Sequence, residues 1–314
     1  MAGLAWILLT VALFSLIPAL VLLHVWKHER RRSGSDVATE RTPELGTVET
    51  CPPGSVRPGV APVIVVGRPP RPRHPLVLVH GYFGFDSIGA LRIKQEYFRG
   101  VRGRLEALGH QVVLARVAPA AGVRKRAGEL ADQIRRLPFE RVNIIAHSMG
   151  GVDARYAISK LGLDERVASL LTIGTPHRGT PIADAAARLG EWQKVRRMLD
   201  TIGANVDGLY DLTTTRMEEF NLLVKDAADV SYASVVGALK SDSAKVSALL
   251  APGFSYLRKR VGPNDGMVPA ASQRWGDVLF EIEADHWAQI GWSAGFDAGP
   301  FYVALAEHLA ERGL

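Results

Sequence analysis

The sequence predicts an α/β domain with a mostly parallel central sheet, flanking helices and a helical cap or lid inserted late in the chain. Three observations carry that expectation. Short continuous apolar runs, such as Pro75-Leu76-Val77-Leu78-Val79 and Val167-Ala168-Ser169-Leu170-Leu171-Thr172-Ile173, read as strands buried on both faces. Segments of helical length separate these runs, which implies right-handed crossovers between parallel neighbours. At the end of one run a serine stands among small residues, in Ala146-His147-Ser148-Met149-Gly150-Gly151. That is the layout of a nucleophile elbow, in which a tight strand-to-helix turn lifts a hydroxyl above the sheet. Alanine replaces the first glycine of the usual G-x-S-x-G pattern, the mildest departure available.

From Gly3 to Trp26 no charged residue occurs and leucine, valine, isoleucine and alanine dominate. About 23 residues at 1.5 Å each reach roughly 35 Å, enough for the hydrocarbon core of a bilayer. Trp6 and Trp26 suit its two interfaces. A secretory signal peptide would have a basic start and a shorter apolar core. Residues 1–32 are therefore expected to be an uncleaved single-pass anchor with a basic flank. Lys27-His28-Glu29-Arg30-Arg31-Arg32 follows the span, so the positive-inside rule puts the remainder of the chain in the cytoplasm. Residues 33–74, rich in proline, glycine, serine and charge, read as a tether, with a candidate short strand at Pro62-Val63-Ile64-Val65-Val66.

The folded domain, residues 75–314, opens on the run at Leu76, which ends in His80-Gly81-Tyr82-Phe83-Gly84. A helix is expected over Leu91 to Leu108, a strand over Gln111 to Val117 and a helix over Ala121 to Arg136. The elbow strand Val142 to Ala146 follows, then helix Gly151 to Leu161 and strand Val167 to Ile173. After Gly174-Thr175-Pro176-His177-Arg178-Gly179 the alternation stops, and residues 181–220 carry helical spacing. Strands resume at Tyr232 to Val236 and Val278 to Ile282, and an amphipathic helix from Pro300 to Glu311 closes the chain. Residues 181–228 and 238–262 are thus expected to form the cap.

Bulk properties narrow the class. The chain has 314 residues, of which roughly 240 lie in the folded part, enough for one large domain. An apolar fraction of 47% argues against disorder. The single cysteine, Cys51, excludes an intramolecular disulfide and sits in a linker-like Cys51-Pro52-Pro53-Gly54 context. The net charge of +6 is modest and spread out; its densest runs, Arg30 to Arg32 and Arg68 to Arg73, lie outside the folded domain and read as membrane-flanking and linker charges, without a nucleic-acid motif.

A serine hydroxyl is a weak nucleophile near neutral pH. It needs a base within hydrogen-bond reach, and that base needs an acid to fix its tautomer. On an elbow of this kind the partners follow the serine in the order acid, then histidine. His177 comes too early for that order and His308 lies inside the last helix. His286, just past the strand ending at Ile282, is the candidate base. For the acid, Asp265 sits at a loop tip in Gly262-Pro263-Asn264-Asp265-Gly266-Met267-Val268; Asp242 and Asp285 are the alternatives. Acyl transfer also needs donors for a developing oxyanion. The candidates are the backbone N–H of Met149, directly after Ser148, and that of Tyr82 in the loop after the first strand. His80 and His147 are read as orienting nearby backbone.

Four local stretches together resemble the α/β-hydrolase lipases, and most closely the bacterial true-lipase group. They are Val79-His80-Gly81 with Gly84, Ala146 to Gly151, Thr172 to Gly179, and Asn264 to Val268, in the family order over residues 75–314. The resemblance implies the α/β-hydrolase fold, Ser148 as nucleophile, Asp265 as acid, His286 as base, and Tyr82 and Met149 as oxyanion donors. Members of the group often bind a structural calcium through an aspartate two residues after the catalytic histidine. Here that residue is Ala288, so no calcium is expected; members often carry a disulfide as well, which one cysteine cannot make, and no cofactor is implied. The expected activity is hydrolysis of carboxylic esters with lipid-like acyl groups at a membrane. An acyl thioesterase or acyltransferase on the same triad is the alternative, and a non-catalytic binding protein the more distant one. The implied partners are a lipid or acyl-ester substrate and the membrane; neither nucleic acid nor an obligate protein partner is indicated.

Overall fold

Six parallel strands in the order β2-β1-β3-β4-β5-β6 form the central sheet. The computed structural model describes residues 70–82, 96–188, 207–239, 246–293 and 295–314. The strands are β1 (Leu76–Val79), β2 (Val112–Leu114), β3 (Val142–His147), β4 (Val167–Ile173), β5 (Ser231–Gly237) and β6 (Asp277–Ile282). The α-helices between and after them are α1 (Val101–Ala107), α2 (Val123–Arg136), α3 (Met149–Lys160), α4 (Pro181–Arg188), α5 (Gly208–Asp211), α6 (Thr214–Leu223), α7 (Ala251–Val261), α8 (Ala270–Gln273) and α9 (Ala298–Glu311).

The two-residue period of a strand sorts the apolar residues between two layers. Val77, Val79, Ile144 and Ala146 point to α2 and α3, meeting Ala127, Leu130, Ile134 and Ala154. Leu76, Leu78, Ile145 and Ile173 point the other way, to Val101, Leu105, Tyr302 and Leu305 on α1 and α9. Both faces of β1, β3 and β4 are buried, which is why those strands read as unbroken apolar runs. In α2 the buried positions Val123, Arg126, Ala127, Leu130, Ala131 and Ile134 follow helical spacing. This helix stops because Leu137, which precedes Pro138, is forced into extended backbone with ψ 142°. Truncating a buried residue such as Leu130 to alanine would cost about 2–5 kcal/mol.

Boundaries differ from expectation in two places. Of the helix expected over Leu91 to Leu108, residues 96–100 are irregular and the helix begins at Val101. Gly100 takes φ 72°, which interrupts any helix arriving from upstream. The strand expected over Gln111 to Val117 contracts to Val112–Leu114, although Ala115 N still donates to Leu78 O at 2.9 Å.

Part of the expected cap is seen as α4 to α6 and α7. It attaches through Gly208 N to Ala120 O (3.2 Å) and Thr180 N to Leu212 O (3.0 Å). The expected anchor at Gly3 to Trp26, the tether up to residue 69 with its candidate strand at Pro62 to Val66, and cap residues 189–206 and 240–245 lie outside the described residues. So do Cys51 and Asp242. Among the described residues no helix is long and apolar enough to cross a membrane.

Candidate active site

Strand β3 hands the chain to α3 at Ser148, whose φ of 56° and ψ of −133° make it the non-glycine residue with positive φ among the described residues. Such a conformation costs about 1–3 kcal/mol and persists only where surrounding structure enforces it. Here Ser148 N donates to Ile173 O (2.9 Å) and Thr175 Oγ1 donates to Ser148 O (2.8 Å), pinning the turn to the end of β4. The glycines are there for clearance. A Cβ on Gly150 would lie 2.7 Å from Val79 O, and one on Gly81 would lie 2.6 Å from Ser148 Cβ.

Strand β5 leads through α7 to the loop of Asp265. The chain returns to the end of β5 by an antiparallel bridge between Leu239 and Asn264. Asn264 is fully buried and holds the loop from within, its Oδ1 accepting from Gly266 N at 2.8 Å. Asp265 then folds back on its own turn. Its Oδ1 accepts from Met267 N (3.0 Å) and Val268 N (2.7 Å), which leaves Oδ2 facing the sheet edge.

His286 follows β6, and its backbone N donates to Asp265 O at 2.8 Å. Its Nδ1 lies 2.7 Å from Asp265 Oδ2 and its Nε2 lies 2.9 Å from Ser148 Oγ. The three sequence-predicted residues thus converge in one hydrogen-bonded line. Asp265 is 0% exposed, His286 6% and Ser148 8%, so little water competes for those bonds.

The two candidate oxyanion donors flank the serine. Met149 opens α3, so its N–H is one of the helix's orphan donors, at the positive end of the helix. Gly81 passes directly against Ser148, and the next residue, Tyr82, packs against the apolar cluster that contains Met149 and Val152. Burial pushes the Tyr82 phenol well above its usual pKa, so it stays protonated.

The loop carrying Tyr82 is held by a residue that the sequence reading passed over. Arg126 is fully buried. Its Nη2 donates to His80 O (2.8 Å) and Gly81 O (3.3 Å), its Nη1 to Ala118 O (2.7 Å) and its Nε to Asp153 Oδ2 (2.7 Å). Burial raises the Asp153 carboxyl to about 7, against the pull of Arg126. The available signal was a charge on the apolar face of α2.

The histidines and acids set aside in the sequence fall elsewhere. His177 is 0% exposed, with Nε2 3.0 Å from Thr172 Oγ1 and Nδ1 3.5 Å from Arg155 Nη1. Burial, then Arg155 and Arg178, hold it well below the usual imidazole pKa. Asp285 caps the loop after β6, accepting from Trp287 N, Ala288 N and Ser247 N, and does not join the line. His80 ties the first loop to its neighbour, with Nδ1 2.9 Å from Gly81 O and Nε2 accepting from Val117 N at 3.4 Å. His147 lies under the site, with Nδ1 2.7 Å from Tyr97 Oη and its ring 4.5 Å from that of His286. His308 lies within α9. Ala288 is buried, and among the described residues no cluster of His, Cys, Asp and Glu could hold a metal ion.

A PGAP1-like alpha/beta domain family matches residues 129–240, the stretch from α2 through the elbow to the end of β5. Triacylglycerol lipase 2 of Saccharomyces cerevisiae is 26% identical, over 77% of this chain and 93% of the relative. The triacylglycerol lipase of Vibrio cholerae is 28% identical, over 77% of this chain and 89% of the relative. Among solved structures, the mature form of a Bacillus licheniformis lipase superposes with a TM-score of 0.60 at 23% identity, covering 77% of this chain and 93% of that one. With the parallel sheet and the serine elbow, these likenesses support membership of the α/β-hydrolase superfamily, and the chain is similar to lipases within it.

Proposed function

We infer that this chain is a carboxylic ester hydrolase of the lipase and esterase kind, and we propose that it cleaves esters of lipid-like acyl chains through an acyl-enzyme on Ser148. The observation that carries the reading is the unbroken line from Asp265 Oδ2 through His286 to Ser148 Oγ. In this mechanism Ser148 Oγ attacks the ester carbonyl as His286 Nε2 accepts its proton. The backbone N–H groups of Met149 and Tyr82 take the developing oxyanion, a contribution of about 3 kcal/mol per donor. His286 returns the proton to the leaving alkoxide, and water activated by the same imidazole then releases the acid.

The lipid preference is supported by the triacylglycerol lipase relatives. Rates on a series of p-nitrophenyl esters test it. Rising kcat/KM from acetyl to octanoyl is expected, and a sharp preference for acetyl would contradict it. A fluorophosphonate probe should label wild type and not Ser148→Ala; equal labelling would remove Ser148 from the mechanism.

The proposed anchor at residues 3–26 would hold this site at a membrane surface, with the catalytic domain on the cytoplasmic side. Protease added to sealed vesicles from the non-cytoplasmic side should leave the domain intact. Its digestion would reverse the orientation.

A further inference from the structure

Gln289 stands three residues beyond His286, in the short 3-10 turn Ala288–Ile290, and is 0% exposed. Its carboxamide lies across the ends of β4 and β5 in a slot that only glycines leave open. A Cβ on Gly174 would collide with Gln289 Oε1, and a Cβ on Gly237 would collide with Gln289 Nε2. Gly237 is itself fixed, its N donating to Gln273 Oε1 (2.7 Å) and its O accepting from Gln273 Nε2 (2.8 Å). From this slot Gln289 Nε2 donates to Asp265 Oδ2 at 3.0 Å, the same oxygen that meets His286 Nδ1.

The other end of the amide faces His147. Tyr97 Oη is 2.7 Å from His147 Nδ1 and also takes part in a hydrogen bond with the Gly81 backbone. The tautomer that leaves no buried hydrogen stranded has Tyr97 donating to Nδ1 and the ring proton on Nε2. Burial and the neighbouring His286 keep this ring neutral, and its polar contacts on that side are toward Gln289 and the His286 carbonyl. His147 Nε2 and Gln289 Oε1 are both buried, and neither closes a hydrogen bond of ordinary geometry in this structure. One is a donor and the other an acceptor, and a buried polar pair left open costs about 1–3 kcal/mol per group. Catalytic hydrogen bonds are often slack without substrate and tighten when the site is occupied.

We propose that Gln289 is a positioning residue: it takes the ring N–H of neutral His147 and donates to Asp265 Oδ2, fixing the carboxylate that orients His286. The assignment rests on the ester-hydrolase reading above. It explains why a neutral amide fills this slot. A hydrocarbon would leave Asp265 Oδ2 one donor short, and a carboxylate would set a second negative charge against it. The charged and titratable groups facing the amide are Asp265, His286 and His147, with Asp285 on its own turn.

Three variants of the full-length protein test this, each read by p-nitrophenyl octanoate turnover, fluorophosphonate labelling rate and thermal unfolding. Gln289→Leu should lower kcat about ten- to a hundredfold with KM little changed, because a hydrogen bond to a charged group is lost while the substrate pocket is untouched. Gly237→Ala, which displaces the amide without altering it, should lower kcat in the same direction. Gln289→Glu can bond Asp265 only through its own proton. Its kcat should therefore approach wild type at low pH and fall as pH rises and the new carboxyl ionises, a descending limb absent from wild type. Parallel pH profiles for Gln289→Glu and wild type, or a Gln289→Leu enzyme with wild-type kcat, would overturn the role of Gln289 while leaving the hydrolase reading standing. A wild type that neither hydrolyses esters nor takes the phosphonate would remove both.

Discussion

Two buried histidines stand at the same edge of the sheet, His177 after β4 and His286 after β6, and they have opposite chemistry. His286 has a carboxylate on one ring nitrogen and a serine hydroxyl on the other. His177 has a threonine hydroxyl on one side and Arg155 on the other, and stacks on Trp275 with ring centroids 5.2 Å apart. A histidine facing Asp265 can accept a proton, because the imidazolium it becomes meets a negative charge. A histidine facing two guanidinium groups cannot, and burial deepens the penalty. Burial and hydrogen bonding are common to both; the sign of the neighbouring charge separates base from scaffold.

The sharpest way to break this comparison is to remove each ring. His286→Ala should lower kcat for ester hydrolysis by about 10⁴-fold or more with the fold retained. His177→Ala should leave kcat within about tenfold and lower stability by about 1–3 kcal/mol, through lost stacking on Trp275 and the lost contact with Thr172. Steady-state kinetics and urea unfolding on both variants separate the outcomes. Equal losses of kcat would mean that the charge argument is wrong.

A second perturbation asks whether a guanidinium can serve the site indirectly. Arg126 grips the carbonyls of His80 and Gly81, so Arg126→Met should loosen the Tyr82 loop and leave Asp153 without its partner. A fall in kcat of about a hundredfold is expected, the effect of one misplaced oxyanion donor. Stability should drop by about 3–5 kcal/mol, because a buried pair is broken on one side only. A stable variant with unchanged kcat would show that the loop holds itself.

The smallest effect is on acid stability. His147 and His177 both have folded-state pKa values depressed by burial, so the unfolded chain binds their protons first. Their contribution is full above about pH 6.5 and is lost as pH falls from there toward the folded values, at up to about 1.4 kcal/mol per pH unit for each group. The apparent Tm should therefore decline from pH 7 to pH 5, and less steeply in His177→Asn. Identical slopes would show that His177 is not neutral in the fold.

Much of this arrangement is legible in the sequence because several constraints coincide there. Strands β1, β3 and β4 are buried on both faces, so they stand out as apolar runs. The elbow needs small residues at Gly150 and Gly151 for clearance, and that need leaves a motif. Asp265 and His286 follow from chain order. Arg126 and Gln289 were missed because their roles are set by what is adjacent in space. Arg126 looks like one more charge on a helix until its face is known, and nothing around Gln289 marks it before Gly174 and Gly237 are brought to its two ends. The start of α1 was misplaced because Tyr97 and Phe98, which bury against Tyr302, mimic helical spacing while lying in a turn.

Asp265, His286 and Ser148 act as one unit, in which His286 carries the proton and Asp265 fixes its tautomer. This division of roles is tested most directly by kcat/KM of Asp265→Asn on p-nitrophenyl octanoate, measured beside its unfolding curve. Asparagine keeps the shape of the side chain, but its NH₂ can displace the His286 Nδ1–H and leave the wrong tautomer facing Ser148. A loss of about 10⁴-fold is expected, with the fold intact. A folded Asp265→Asn enzyme within tenfold of wild type would contradict that role for Asp265.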